Sequence, residues 1–185
     1  MIEQRDTEYE NVKFITVDGL DSPQSYRVLN LLDRLKKERP DLIIEIGTCR
    51  GGFALLLRKY FECEIVTIDI DEWEPRIAKN KQFKENNIKY IIGDCFVNKD
   101  LDNYLKKDVK KIVFCDGGHK ANEFNSFSKL VNVGDIIGVH DYFPSRDKLD
   151  YNIWTTCEVE DGDLDLSGFD KVYENNAAWG LFIKQ

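Results

Sequence analysis

A strand-like run that ends directly in a glycine turn constrains this chain more than any other feature. The apolar run Ile43–Ile46, which includes Glu45, is followed by Gly47 and Gly51, and a helical pattern begins immediately afterwards. In open parallel sheets, small molecules bind at such a junction, beyond the carboxyl ends of the strands. Cys49 stands where a dinucleotide-binding motif has its middle glycine. The turn therefore indicates a nucleoside ligand rather than a dinucleotide.

Five short runs rich in Ile and Val alternate with amphipathic segments along most of the chain. Continuous apolar runs of this length are typical of strands buried on both faces of a parallel sheet. Their alternation with helical patterns predicts a doubly wound α/β fold. The predicted strands are Leu42–Ile46, Ile65–Ile70, Ile88–Ile92, Ile112–Cys115 and Ile136–Val139. The predicted helices are Phe53–Tyr60, Pro75–Asn86, Leu101–Lys106 and Asn122–Val131.

The end of the chain predicts an antiparallel hairpin. Two strand-like runs, at residues 170–175 and 179–184, are joined by a connection too short for a helical crossover. We therefore expect a seven-stranded, mostly parallel sheet with an antiparallel last strand, covered by helices on both faces in a three-layer α/β/α arrangement.

The N-terminal part is more polar, and its organisation is predicted from one start signal. Ser22-Pro23 has the form of a helix cap followed by proline at the first helical position. We expect a helix from this point, a single domain at residues 22–185, and an N-terminal segment at residues 1–21 that could serve as a lid. The acidic, weakly periodic segment Ser145–Gly168 is a second candidate lid.

Composition limits the classes of function. The chain has 185 residues and a net charge of -8, which disfavours binding to a nucleic-acid backbone. No apolar run approaches the length of about twenty residues that a membrane helix needs, and the polar N-terminus does not resemble a signal peptide. The five cysteines form no C-x-x-C pair. Reduced thiols in a cytoplasmic protein are therefore favoured over a disulfide framework or a zinc site.

Each of the five predicted parallel strands has a carboxylate at or just beyond its carboxyl end. Because these ends meet at one edge of the sheet, the acids would form a row of like charges. A cation, or the hydroxyl and amino groups of a ligand, would relieve their repulsion. The acids are Glu45, Asp69, Asp94, Asp116 and Asp141.

Three of these acids have competing interpretations. Asp69 follows the glycine turn by about twenty residues, where an acid reaches ribose hydroxyls, and it could instead cap the next helix. Asp94 could accept a hydrogen bond from the exocyclic amine of adenine, or simply form a turn. Glu45 could orient the glycine turn or contact a ligand ammonium group.

The whole pattern resembles the class I S-adenosylmethionine (SAM)-dependent methyltransferases, which have a Rossmann-like fold. The resemblance extends from residue 22 to the end of the chain and includes the terminal hairpin. The motifs that carry it are Glu45-x-Gly47-x-x-x-Gly51, Asp69 after the second strand, and Gly93-Asp94 after the third.

This resemblance implies a role for each part of the site. The glycine turn would approach the methionine part of SAM, Asp69 would bind the ribose and Asp94 the adenine. The cofactor-binding residues that it implies are Glu45, Gly47, Thr48, Gly51, Asp69, Ile70, Asp94 and Cys95.

The fourth and fifth strand ends look like those of the metal-dependent O-methyltransferases. Residues 113–119 and 138–142 are similar to the branch that holds sugar and macrolide O-methyltransferases and cephalosporin hydroxylase-like proteins. In that branch, acids at these positions hold a magnesium ion, which binds substrate oxygens and lowers the pKa of the reacting hydroxyl. The resemblance makes Asp116 and Asp141 the ligands and His119 the base.

One position departs from that branch. The residue before Asp141 is commonly another acid, and here it is His140. Imidazole is a poor magnesium ligand but a good ligand for iron, manganese or zinc. Asp116, His140 and Asp141, with His119 as a further candidate, could therefore hold a transition metal. Alternatively, the two histidines of the chain only stabilise loops at the strand ends.

The expected function is SAM-dependent methyl transfer to a hydroxyl of a small molecule, a sugar or sugar-containing metabolite. His119 and Asp116 are the expected catalytic residues, and a divalent metal could assist. Two alternatives stay open: a metal-dependent hydroxylase-like enzyme on the same fold, and a non-catalytic nucleoside-binding protein. We expect a small-molecule acceptor, no nucleic-acid or membrane partner, and a homo-oligomer in which a second subunit could help to close the site.

Overall fold

The computed structural model describes residues 1–6, 13–73, 75–145, 158–175 and 178–185. The strands in these ranges are β1 (Ile2–Asp6), β2 (Lys13–Val17), β3 (Leu20–Ser25), β4 (Leu42–Ile46), β5 (Glu64–Asp69), β6 (Ile88–Ile92), β7 (Lys111–Cys115), β8 (Ile136–Val139), β9 (Phe169–Asn175) and β10 (Trp179–Lys184). The helices are α1 (Val28–Leu35), α2 (Gly52–Tyr60), α3 (Arg76–Glu85), α4 (Lys99–Leu105) and α5 (Lys120–Phe127). Short 3-10 helices lie at Lys36–Glu38 and Asp161–Asp163.

Seven strands form the central sheet, in the order β6-β5-β4-β7-β8-β10-β9. Strands β4 to β8 pair in parallel, whereas β10 pairs antiparallel with both β8 and β9. β9 therefore runs in the same direction as β4 to β8, and the predicted sheet of six parallel strands with an antiparallel last strand is confirmed. The strand order reverses between β4 and β7, so the carboxyl ends of these two strands border a crevice at a topological switch point.

The central strand β4 shows why the sequence pattern is continuous rather than alternating. All five of its residues are buried. Ile43 packs in one apolar cluster with α1 and α2, and Ile44 packs in a second cluster with α4 and α5 on the opposite face. Helices thus cover both faces of the sheet, which confirms the predicted three-layer α/β/α arrangement.

The prediction that a helix begins at Ser22-Pro23 is wrong. Residues Leu20–Ser25 form β3, which pairs antiparallel with β2, and α1 begins only after it. Leu20, Ser22 and Gln24 are buried, while Pro23 is exposed, which is the two-residue period of a strand. β3 is an edge of the sheet β1-β2-β3, where a residue without a backbone N–H is tolerated. The local capping signal therefore gives way to burial against the rest of the molecule.

The N-terminal sheet packs on the main core. Ile15, Val17 and Leu20 are buried in the same apolar cluster as α1 and α2. A Cβ atom at Gly52, the first residue of α2, would lie 2.5 Å from the backbone of Asp21 in β3. β3 also crosses the predicted boundary between residues 21 and 22, and the division into an N-terminal segment and a domain remains a prediction.

Two further sequence predictions concern membranes and lids. None of the helices in the described ranges is long and apolar enough to cross a lipid bilayer. Residues 146–157 of the second candidate lid lie outside the described residues. The described end of that segment contains the 3-10 helix Asp161–Asp163. Val159, in the same part, forms a β-bridge with Tyr142, which precedes the segment.

Candidate active site

The glycine turn after β4 is a tight loop in which three residues have positive φ. The values are +93° at Gly47, +46° at Cys49 and +86° at Gly51. A Cβ atom at Gly47 would lie 2.4 Å from the backbone oxygen of Asp116. Only glycine therefore allows the end of β4 to lie against the end of β7, which brings the turn next to the predicted metal ligand.

Glu45 lies beneath the turn in the buried strand β4. Its carboxylate accepts a hydrogen bond from the hydroxyl of Thr67 on β5. The Thr67 hydroxyl is 2.6 Å from the hydroxyl of Thr48 in the turn. Burial raises the pKa of Glu45 well above its ordinary value. Of the two interpretations given above, this geometry favours the one in which Glu45 orients the loop.

A cavity of about 290 Å³ opens at the carboxyl ends of β4 to β7. Five of the eight predicted cofactor-binding residues line it, namely Gly47, Asp69, Ile70, Asp94 and Cys95. The predicted base His119 lines it as well. Glu45, Thr48 and Gly51 do not line the cavity, because they form or support the turn behind it.

Asp69 connects the end of β5 to the glycine turn. One of its carboxylate oxygens, Oδ2, accepts a hydrogen bond of 2.7 Å from the backbone N–H of Cys49. The other, Oδ1, accepts one of 3.2 Å from the indole Nε1 of Trp73. A carboxylate can accept about four hydrogen bonds, so Asp69 retains capacity for ligand hydroxyls while it holds the turn.

Asp94 is the second residue of the loop after β6. Its Oδ1 accepts a hydrogen bond of 2.9 Å from the backbone N–H of Phe96, which is the local turn contact that the sequence left as an alternative. Asp94 also lines the cavity. A turn role and a binding role for this residue are therefore compatible.

Lys79 on α3 supports the glycine turn from below, and the sequence gives no signal for this. The residue is fully buried. Its ammonium group donates to the backbone carbonyl of Cys49 at 3.1 Å and to the hydroxyl of Tyr90 at 3.3 Å. Burial lowers the pKa of Lys79 because it penalises the charged form.

Glu123 on α5 orders the loop after β7. Its two carboxylate oxygens accept hydrogen bonds of 3.1 Å from the backbone N–H groups of Gly117 and His119. It is buried, lines the cavity, and burial raises its pKa. The only sequence signal for it is an acid in the first turn of a helix, where the helix dipole favours negative charge.

His119 lies between two cavities. The first is the one at the strand ends, and the second has a volume of about 200 Å³ and is lined mainly by the start of α5 and by Glu158 and Val159. Gly118 and His119 are common to both linings. The imidazole of His119 can therefore contact a molecule in either cavity.

Asp116, His140 and Asp141 form the one group in the described residues whose side chains could hold a metal ion, with the three ligand atoms within 4.8 Å of one another. Nδ1 of His140 lies 2.9 Å from Oδ1 of Asp116 and 3.5 Å from Oδ2 of Asp141. His119, the further candidate, is not part of this group. The ammonium of Lys120 is 3.1 Å from Oδ2 of Asp141.

The electrostatics of this cluster favour a positive charge at its centre. Burial alone would lower the pKa of His140, but the carboxylates of Asp116 and Asp141 raise it to about 10. Burial would raise the pKa of Asp141, and His140 and Lys120 lower it to about 2. Either a proton on His140 or a divalent cation would supply this positive charge. Two carboxylates and an imidazole are donors that suit manganese, iron or zinc, so the residues present fit a metal ion.

Comparison with known proteins identifies the family. Residues 7–150 match the family model described as rhamnosyl O-methyltransferase/CmcI, and this match covers well over half of the chain. The chain belongs to this family. A comparison with curated protein sequences finds no match.

Solved structures similar to this rhamnosyl O-methyltransferase/CmcI family member share its fold. A caffeoyl-CoA O-methyltransferase candidate from Staphylococcus aureus has 16% identity and a TM-score of 0.62, over 90% of this chain and 86% of that chain. A CmcI structure with SAH has 20% identity and a TM-score of 0.60, over 97% and 87% of the two chains. A CmcI structure with Mg and SAM has 22% identity and a TM-score of 0.50, over 66% and 55%.

Proposed function

We propose that this member of the rhamnosyl O-methyltransferase/CmcI family transfers a methyl group from SAM to a hydroxyl of a small molecule, a sugar or sugar-containing metabolite. The observation that carries the proposal is the pair of adjoining cavities that share His119. The first is lined by Gly47, Asp69 and Asp94. The second is lined by Lys120, whose ammonium is 3.1 Å from Asp141 of the proposed cation cluster.

The first cavity would hold the cofactor. In the proposal, the glycine turn approaches the methionine part, Asp69 accepts hydrogen bonds from ribose hydroxyls, and Asp94 accepts one from the adenine amine. When bound, SAM supplies a methyl group that is attached to a positively charged sulfur. As the methyl group is transferred, the carbon–sulfur bond breaks and the sulfur keeps its electron pair. The acidic rim of the cavity suits that positive charge.

The second cavity would hold the acceptor, and His119 would act between the two. In the proposal, His119 accepts the hydroxyl proton as the acceptor oxygen forms its bond to the methyl carbon. The ammonium group of Lys120 lies 3.1 Å from Asp141 and 2.7 Å from Glu158. It can donate hydrogen bonds to further hydroxyl groups of the acceptor, and the amide of Asn122 can both donate and accept them. Holding the acceptor oxygen in line with the carbon–sulfur bond of SAM would account for most of the rate enhancement.

Asp116, His140 and Asp141 would hold a divalent cation, whose chemistry is to lower the pKa of the acceptor hydroxyl. The chemistry of the three donors supports this, and the CmcI structure with Mg and SAM comes from the same family. The imidazole of His140 also suits iron, which favours the hydroxylase-like enzyme as the second candidate function. Anaerobic and aerobic assays with Fe²⁺ would separate the two, because only the hydroxylase requires dioxygen.

The acidic charge of -8 supports a small-molecule acceptor over nucleic acid. A cytoplasmic location, the absence of a membrane partner and a homo-oligomeric state belong to the same proposal. The proposal as a whole is tested by calorimetry with SAM and SAH, followed by transfer of a labelled methyl group to a panel of sugars and glycosides. Binding with transfer would support it, and binding without transfer would favour the nucleoside-binding protein. No heat of binding at millimolar SAM would refute it.

A further inference from the structure

Gln24 on β3 links the N-terminal sheet to the cluster at the strand ends. Its side chain is buried, and its Nε2 donates a hydrogen bond of 2.5 Å to Oδ2 of Asp116. Its Oε1 accepts a hydrogen bond of 2.9 Å from the indole Nε1 of Trp179 on β10. The amide therefore joins three segments that are far apart in the sequence.

The indole fixes which way the amide of Gln24 faces. An indole N–H can only donate, so the amide oxygen must face Trp179 and the amide nitrogen must face Asp116. Trp179 itself is fully buried, and its ring packs on Phe53 and Phe114 with centroid distances of 5.9 Å and 5.1 Å. The donor presented to Asp116 is therefore set by a residue packed in the buried core.

In this arrangement the two carboxylate oxygens of Asp116 have different partners. Oδ2 is engaged by Gln24. Oδ1 lies 2.9 Å from Nδ1 of His140, and the ligand atoms of Asp116, His140 and Asp141 lie within 4.8 Å of one another. The amide therefore engages one oxygen of Asp116, while the other lies beside His140.

β3 also lies against the glycine turn and the start of α2. Oδ2 of Asp21 lies 2.6 Å from Nη1 of Arg50 in that turn. The backbone at Asp21 occupies the space next to Gly52, where a Cβ atom would lie 2.5 Å from it. Gln24 is thus presented from a strand that contacts both the glycine turn and the first residue of α2.

We propose that Gln24 is a positioning residue, which turns Asp116 so that a single carboxylate oxygen, Oδ1, faces a divalent cation shared with His140 and Asp141. The inference rests on the proposed function, because it assigns Asp116 to a cation site. Groups that orient metal ligands through hydrogen bonds typically change metal affinity by about 10- to 100-fold when they are removed.

The test measures Mn²⁺ affinity by electron paramagnetic resonance and SAM affinity by calorimetry on the same proteins. Gln24→Met removes the amide and keeps the length of the side chain. We expect it to weaken Mn²⁺ binding by about 10- to 100-fold, while the SAM dissociation constant stays within about twofold. Pro23→Ala, at an exposed position of the same strand, is the matched control and should leave both affinities unchanged.

Trp179→Phe gives a second test, since it removes the donor that orients Gln24 and keeps an aromatic ring beside His140, whose ring centroid lies 4.8 Å from that of Trp179. If the two residues act as one unit, the double variant should lose less Mn²⁺ affinity than the sum of the single losses in free energy. This cycle remains available if Gln24→Met does not fold, with Gln24→Asn as the replacement. Parental SAM affinity certifies that a variant is folded at the site.

The outcomes separate this inference from the proposed function. Parental Mn²⁺ affinity in the Gln24 variant would overturn the positioning role, and so would a parallel loss of Mn²⁺ and SAM binding in a variant that unfolds cooperatively like the parent. A parent protein that binds SAM but no Mn²⁺ would overturn the inference and leave the SAM site intact. A parent that binds neither would overturn the proposed function itself.

Discussion

The backbone N–H of Cys49 donates a 2.7 Å hydrogen bond to Oδ2 of Asp69, so the glycine turn and the end of β5 are held together by the carboxylate proposed to bind ribose. Cys49 adopts a φ of +46° in this turn. The acid that would recognise the ligand thus also shapes the wall of the cavity.

Asp69→Asn should separate these two functions. An asparagine oxygen can still accept from Cys49, but the charge that strengthens hydrogen bonds from ribose hydroxyls is lost. We expect SAM to bind about 10- to 100-fold more weakly, or about 1.4–2.8 kcal/mol, when measured by calorimetry. Asp71→Asn, at an exposed acid two residues further on, is the control and should bind SAM normally. Equal losses in both variants would contradict the role of Asp69.

Gly47→Ala should destabilise the protein more than other substitutions of a positive-φ glycine. The new Cβ would lie 2.4 Å from the backbone oxygen of Asp116, whereas at Gly134, with a φ of +86°, nothing lies within 4 Å. Gly134→Ala therefore reports backbone strain alone, about 1–2 kcal/mol. Urea unfolding should show an additional loss of about 2 kcal/mol or more for Gly47→Ala. Similar losses for the two variants would show that β4 and β7 can separate at this point.

Much of this architecture follows from the sequence because the central strands β4 and β7 are buried at every residue, and burial on both faces of the sheet favours continuous apolar runs such as Ile112–Cys115. The site is predictable where its residues end those strands, as with Asp69, Asp94 and Asp116. Lys79 and Gln24 are not predictable, because their roles depend on which distant backbone or side chain they meet. Local signals gave no indication that Ser22-Pro23 would be held in a strand by tertiary contacts.

The stability of the fold should depend on pH through Glu45. Burial raises its pKa well above the ordinary value of 4.5, so the folded state favours the protonated form. The stabilisation from that proton is fully present below pH 4.5 and is lost progressively as the pH rises toward the folded-state pKa. Glu45→Gln keeps an acceptor for Thr67 and removes the titration. Its free energy of unfolding, relative to the parent, should therefore increase from pH 4 to pH 8, counted as about 1.4 kcal/mol per pKa unit.

The measurement for Glu45 is a series of chemical denaturation curves at fixed ionic strength for the parent and Glu45→Gln. The difference between the two proteins isolates this carboxyl from all other titrating groups. A difference that does not change with pH would mean that Glu45 titrates normally despite its burial.

Lys79→Met should weaken SAM binding without a comparable loss of stability. The substitution leaves the carbonyl of Cys49 without its 3.1 Å donor, which loosens the turn, but it also removes the cost of burying an ammonium group. We expect about a tenfold higher dissociation constant for SAM, or about 1.4 kcal/mol, and a change in unfolding free energy of less than about 1 kcal/mol. Lys81→Met, exposed on the same helix, is the control. Unchanged SAM affinity in Lys79→Met would show that the turn holds its shape without this contact.

His119→Ala should abolish most methyl transfer while SAM still binds. His119 lines both cavities, so its removal takes away the proposed base and leaves the walls formed by Asp69 and Asp94. We expect kcat to fall by about 10²- to 10⁴-fold and the SAM dissociation constant to change by less than about threefold, or about 0.7 kcal/mol. Added imidazole can occupy the vacated space and should restore part of the activity. The same buffer should not restore Asp116→Ala, because that carboxylate is proposed to hold a cation rather than to accept the proton. Full activity of His119→Ala without imidazole would assign the base to another group.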